Sequence, residues 1–198
     1  MLRFIYLGTI ALLLSVIPAA CSSNAITTPT YPAYSFSSSG VFNINVAQIE
    51  FSEEYVSPYG PPNVEHTFPI KPAKAIVGLI NDRFRPISTS GVLRVHIIDA
   101  SVIEERLPQT EGIRGVFTND QAARYKGSIK IILEIEEPGH YLPRATFTTY
   151  ASRSDTVSEY ISYYDRQKFF YDFTYQMLNQ INDQISKNIP HDFQAYIQ

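Results

Sequence analysis

The sequence contains no tryptophan, a single cysteine and no marked excess of either charge. One cysteine excludes an intramolecular disulfide framework and any multi-cysteine zinc or iron–sulfur centre. Lys and Arg number 16 against 19 Asp and Glu, a formal net charge of -3. That balance lacks the basic surplus a phosphate-tracking protein uses, so no nucleic-acid partner is expected. No HExxH or paired-histidine spacing, GxSxG, GxxxxGK[ST] or GxGxxG occurs, which leaves no motif for a metal, an activated serine or a nucleotide. His66, His96, His140 and His191 lie far apart in the chain. Glu53–Glu54, Glu104–Glu105 and Glu136–Glu137 are adjacent pairs, and neighbours in a strand point to opposite faces. No catalytic residue, metal ligand or cofactor is assigned, and the expectation is a protein that is not an enzyme. Beyond residue 21 no apolar run approaches the roughly 20 residues that a spanning helix needs.

What the sequence does have begins at its first residue. Arg3 precedes an apolar run from Phe4 to Ile17, and Pro18, Ala19 and Ala20 lead to Cys21. A cation, a short apolar core and small residues at a cleavage site make residues 1–20 a secretory signal peptide. The Ile17–Cys21 segment resembles the lipobox of bacterial lipoproteins, with Pro18 standing where Leu is usual. That resemblance implies that Cys21 becomes the acylated first residue of the mature chain and holds it to a membrane through lipid. Ser22 and Ser23, in place of an Asp, imply sorting to the outer membrane with the protein on its periplasmic side. The alternative is ordinary cleavage after Ala20 or Ala25 and a soluble periplasmic protein.

Residues 21–40 read as the lipidated cysteine and a flexible tether. From Ser22 to Gly40 the chain is rich in Ser, Thr and Pro and almost uncharged, a linker composition whose coil span is on the order of 25 Å. The other reading lays part of it along the folded domain, held by Tyr31, Tyr34 or Phe36.

Residues 41–198 are expected to form one periplasmic domain. In Val41–Phe51 the residues Phe42, Ile44 and Val46 alternate with Asn43 and Asn45, then the apolar parity switches, which predicts a strand with a bulge near Ala47–Gln48. Five prolines between Ser57 and Pro72 exclude a helix or a central strand there. From Pro72, the residues Ala73, Ile76, Leu79, Ile80 and Phe84 follow helical spacing, with Lys74, Asp82, Arg83 and Arg85 off that stripe. Gly91–Ile103 reads as a second strand with a parity shift near Asp99. Arg124–Glu136 is a third, with Tyr125, Ile129, Ile131, Leu133 and Ile135 on one face and charges on the other. Pro143–Ser154 is a fourth. A long helix from about Tyr160 to Ile189, ended by Pro190, has Phe170, Phe173, Met177, Ile181 and Ile185 on one face. The fold class is therefore α+β: a two-layer sandwich of order β-α-β-β-β-α, with a four-stranded, mainly antiparallel sheet and two helices on one face.

With the lipobox-like cysteine and the tether, this order of elements is similar to the auxiliary lipoproteins of ABC-type envelope transporters and to the lipopolysaccharide-assembly lipoprotein. The segments PPNVEHTFP (61–69), GVLRVHIIDASV (91–102) and GVFTNDQAARY (115–125) resemble an uncharacterised family of Gram-negative envelope lipoproteins, a family without assigned chemistry. The resemblance implies a membrane-anchored accessory or docking subunit of an envelope assembly or lipid-transport system, whose partner is another envelope protein. Candidate contacts with a partner or lipid are Tyr59 and Phe68 in the proline-rich loop, and Ile113, Arg114, Val116 and Phe117 in an apolar tip between glycines. Folding back onto the domain is the competing reading for both. Two other functions remain open: a module binding lipid or a small amphiphile above Ile129, Ile131 and Leu133, and a hydrolase joining His66 with Glu65 or His96 with Asp99.

Overall fold

The computed structural model describes residues 30–108, 121–158 and 160–198. Its four-stranded sheet has the order β2-β4-β5-β6, built from β2 (Gln48–Glu53), β4 (Val92–Arg106), β5 (Gln121–Glu136) and β6 (Ala145–Ser158). The β2–β4 pair is parallel, and the pairs β4–β5 and β5–β6 are antiparallel. A small parallel sheet pairs β1 (Phe42–Ile44) with β3 (Phe84–Pro86). Helices α1 (Pro72–Arg83) and α2 (Tyr163–Asp192) complete the fold, which is the two-layer α+β sandwich expected from the sequence.

Strict alternation in β5 decides which sheet face is covered. Ile129, Ile131, Leu133 and Ile135 are fully buried, and α2 brings Phe170, Phe173, Met177, Ile181 and Ile185 down onto the same core. Gly127 allows that approach: a Cβ there would stand 2.6 Å from the Phe173 ring and 2.7 Å from Met177 Sδ. The parity shift in β4 is a β-bulge, since its register against β5 slips between Ile97 and Asp99. Leu93, Val95 and Ile97 before the slip, and Ala100 and Val102 after it, all reach the core.

Three expectations are corrected. Val41–Phe51 is not one bulged strand: β1 and β2 belong to different sheets. Ile44 and Val46 are both fully buried, and the amide of Ala47 donates to Gly91 O at 2.9 Å, carrying the chain from the small sheet to the large one. Arg83 does not lie on the wet side of α1. It is 1% exposed, donates to Asn182 Oδ1 and to Ser186 Oγ, and sits 5.1 Å over the Phe42 ring. Pro190 does not end α2, which runs through to Asp192; so near the C-terminus a proline removes only one ladder donor.

Part of the segment read as a tether packs on the domain. Tyr34 and Phe36 are buried, the Tyr34 hydroxyl donates to Tyr171 O at 3.0 Å, and the Phe36 amide donates to Asp82 Oδ2 at 2.7 Å.

Candidate docking groove

The groove exists because β2 is shorter than β4. β2 ends beside Ile97, so the edge of β4 beyond the bulge is open, and the proline-rich loop 54–71 closes it. The amides of Glu54 and Tyr55 both donate to Ile97 O, the Val64 amide to Val102 O at 2.9 Å, and the Glu104 amide to Pro62 O at 2.9 Å. The prolines suit this role, because a loop laid on a strand edge needs few donors of its own. Phe68 then stacks on Phe170 with ring centroids 4.1 Å apart and fixes the far end of the loop to α2.

Glu65 pins the middle. It is 3% exposed, and its carboxylate accepts from the Tyr55 hydroxyl at 2.7 Å, from the Ser57 hydroxyl, and from the Val102 amide at 3.1 Å. Burial pushes its pKa up, but the donors from Ser57, Tyr55 and the backbone outweigh that and hold it below the ordinary carboxylate range. Burial, followed by the Glu65 carboxylate beside it, pushes the Tyr55 hydroxyl up. Asn63 Nδ2 donates to the Tyr55 oxygen at 3.1 Å, so the network runs Asn63–Tyr55–Glu65–Ser57.

Above this floor lies a half-open groove of about 270 Å³, lined by Glu53, Val56, Tyr59, His66, Lys71 and Ala73 among others. Tyr59 has φ +56°, in the left-handed region, and is 65% exposed. Its ring centroid lies 5.7 Å from that of His66, and Lys71 Nζ stands 5.2 Å over it. His66 Nδ1 is buried without a hydrogen-bond partner. The groove therefore offers an apolar wall, an ammonium, a carboxylate rim and one unused imidazole nitrogen. The Glu65 carboxylate, committed to three donors and depressed in pKa, is a weak base.

Among the residues singled out from the sequence, Tyr59 is at the groove mouth and exposed. Phe68 is buried and anchors the loop against Phe170. Cys21, Ile113, Arg114, Val116 and Phe117 lie outside the described residues. The structure does bring Glu65 and His66 to one groove. His96 instead meets Glu54 at 2.6 Å and Glu134 at 3.4 Å, while Asp99 accepts from the Ser101 amide. Sequence reasoning missed the three donors around Glu65. Tyr55 and Ser57 are eight to ten residues away and Val102 is 37 away, and no spacing rule links them. It also missed the ladder on the open sheet face, where Arg94 pairs with Glu136 in a two-pronged contact and with Glu50 at 2.7 Å.

Among the described residues no helix is long and apolar enough to cross a membrane, and no group of three His, Cys, Asp or Glu side chains is placed to hold a metal ion. No protein-family model and no curated protein matches the chain. Solved structures similar to it include three bacterial lipoproteins. Rare lipoprotein B from Shewanella oneidensis is 14% identical, with 72% of this chain and 92% of that chain covered and a TM-score of 0.36. A minor lipoprotein from Acinetobacter baumannii is 8% identical, with 77% and 96% covered and a TM-score of 0.37. An uncharacterized lipoprotein B from Nitrosomonas europaea is 10% identical, with 75% and 90% covered and a TM-score of 0.31. At that distance the likeness carries no argument about activity.

Proposed function

We propose that this protein is a lipoprotein held to the periplasmic face of the outer membrane by acylation of Cys21, and that its domain is a non-enzymatic docking subunit of an envelope assembly or lipid-transport system. The groove beneath Tyr59 takes an extended segment of the partner protein. The observation that carries this reading is the build of the groove: its floor is pinned by a buried carboxylate with three donors, while its mouth presents Tyr59, Val56 and Lys71 to solvent. Preorganised surfaces of this kind bind at a reduced ordering cost. Tethering adds to that by raising the local concentration of the docking surface, to the mM range for short flexible links.

A carrier that holds an amphiphile between the layers is supported less well. Ile129, Ile131 and Leu133 are fully buried, and Gly127 is packed against Phe173 and Met177 at distances that leave no room for a methyl group. The test is a photo-crosslinking residue placed at Val56 in the full chain and activated in envelope membranes. A discrete adduct with a transport or assembly protein, lost when Lys71→Glu is added and absent when the probe sits at Tyr150, supports docking. Adducts with lipid alone would overturn it in favour of amphiphile binding, and equal protein adducts from both positions would overturn the groove as the docking site.

A further inference from the structure

Eight residues, 22–29, lie between Cys21 and Thr30, where the described chain begins. Fully extended they reach about 30 Å at 3.3–3.6 Å per residue, and as a coil roughly 15–20 Å. The direction in which the chain leaves the domain is set by a series of ring contacts along α2. Phe36 lies 5.9 Å from Tyr175, Tyr34 stacks between Tyr175 and Tyr171, and Tyr31 stacks on Tyr171 at 4.9 Å. Followed back toward Cys21, the chain therefore climbs α2 from its middle toward its N-terminus. Tyr164 precedes Tyr171, on which Tyr31 stacks, by two turns of α2, roughly 10 Å along the helix.

At that point three tyrosines stand exposed together in sequence: Tyr160, Tyr163 and Tyr164, each more than half accessible. The nearby charges are largely engaged within the helix. Asp165 is tied to Ser162 in a reciprocal N-terminal cap and Lys168 pairs with Asp172, while Arg166 is exposed. A ring with an apolar body and a hydroxyl tip suits the headgroup layer of a bilayer. Another exposed apolar pair, Tyr141 and Leu142, is in the β5–β6 turn. That turn is separated from Ser158 by the 14 residues of β6, roughly 45 Å at about 3.3 Å per residue, and so it stands at the end of the domain away from the anchored segment.

We propose that Tyr160, Tyr163 and Tyr164, at the start of α2, form the face with which the domain rests on a phospholipid surface, on the side toward which the described chain leads back from Phe36 to Tyr31. This rests on the acylation proposed above. It deepens that reading by fixing the orientation of the domain: the β5–β6 turn points away from the anchoring membrane. The absence of native tryptophan makes the test direct. The full acylated chain carrying Tyr164→Trp, or separately Tyr141→Trp, is reconstituted into phosphatidylethanolamine–phosphatidylglycerol vesicles brominated near the headgroup end of the acyl chains. The expected result is a blue shift and loss of emission for Tyr164→Trp and neither change for Tyr141→Trp. Equal behaviour of the two chains, or quenching of Tyr141→Trp alone, overturns the orientation. Intact mass of the same preparation separates the two claims: an acylated chain with unquenched Tyr164→Trp sinks this inference only, and an unacylated chain sinks both.

Discussion

The two faces of the four-stranded sheet use polar side chains in opposite ways. On the covered side Glu65, Arg83 and Asn182 are buried and bonded to partners distant in sequence, so each fixes how one element sits on another. On the open side Arg94 joins Glu50 and Glu136 on the two adjacent strands, and His96 lies between Glu134 and Glu54, the latter just past the end of β2, all partly exposed. A buried polar group that loses its partner carries the whole desolvation cost, whereas an exposed ion pair exchanges one solvated arrangement for another. The covered side therefore determines the shape of the groove, and the open side is free to vary.

The largest effect that sharpens this contrast comes from Gly127. Gly127→Val drives a side chain into Phe173 and Met177, and overpacking of this kind costs about 3 kcal/mol. At about 2–4 °C per kcal/mol for a domain of this size, thermal unfolding should fall by roughly 6–12 °C. Combining it with Met177→Ala should recover part of the loss. Additive destabilisation in that double variant would mean the layers are not in contact at Gly127.

Next comes Glu65→Ala, which leaves the Tyr55 and Ser57 hydroxyls and the Val102 amide without an acceptor and should cost about 2–3 kcal/mol. The native pKa of Glu65 is depressed. Its contribution to stability is therefore complete above the ordinary carboxylate range, declines as pH falls through that range, and is gone below the native value. The difference in stability between wild type and Glu65→Gln, measured by denaturant unfolding, should shrink from neutral to acid pH. A difference that is constant over that span would show that Glu65 is not held as an anion.

The smallest effect belongs to the open face. Arg94→Ala should change stability by less than about 1 kcal/mol, in spite of three well-aligned hydrogen bonds. A loss as large as that of Glu65→Ala would erase the contrast between the faces.

Much of the fold was legible because alternation is a local property. β5 shows it without a break, and the slip at Asp99 shows as a change of parity in Gly91–Ile103. The same signature in Val41–Phe51 has a different cause, a change of sheet, because parity records which face is buried and not which strand is the neighbour. Arg83 was misplaced for a related reason: helical spacing puts it off the apolar stripe of α1, but α2 packs there too and supplies Asn182 and Ser186. In the groove, Tyr59 was legible as an exposed ring among prolines. Phe68 looked the same in sequence and is buried, since only the folded chain shows Phe170 opposite it. Glu65 and His66 are adjacent in the chain, yet the role of Glu65 depends on donors that only the closure of loop 54–71 on β4 brings near.

Everything proposed about address and orientation depends on Cys21 carrying lipid. Metabolic labelling of growing cells with a clickable fatty acid tests this directly. The wild-type chain should be labelled and recovered in outer-membrane fractions, and Cys21→Ser should be unlabelled and released. An unlabelled wild-type chain, or equal labelling of both, would contradict the account.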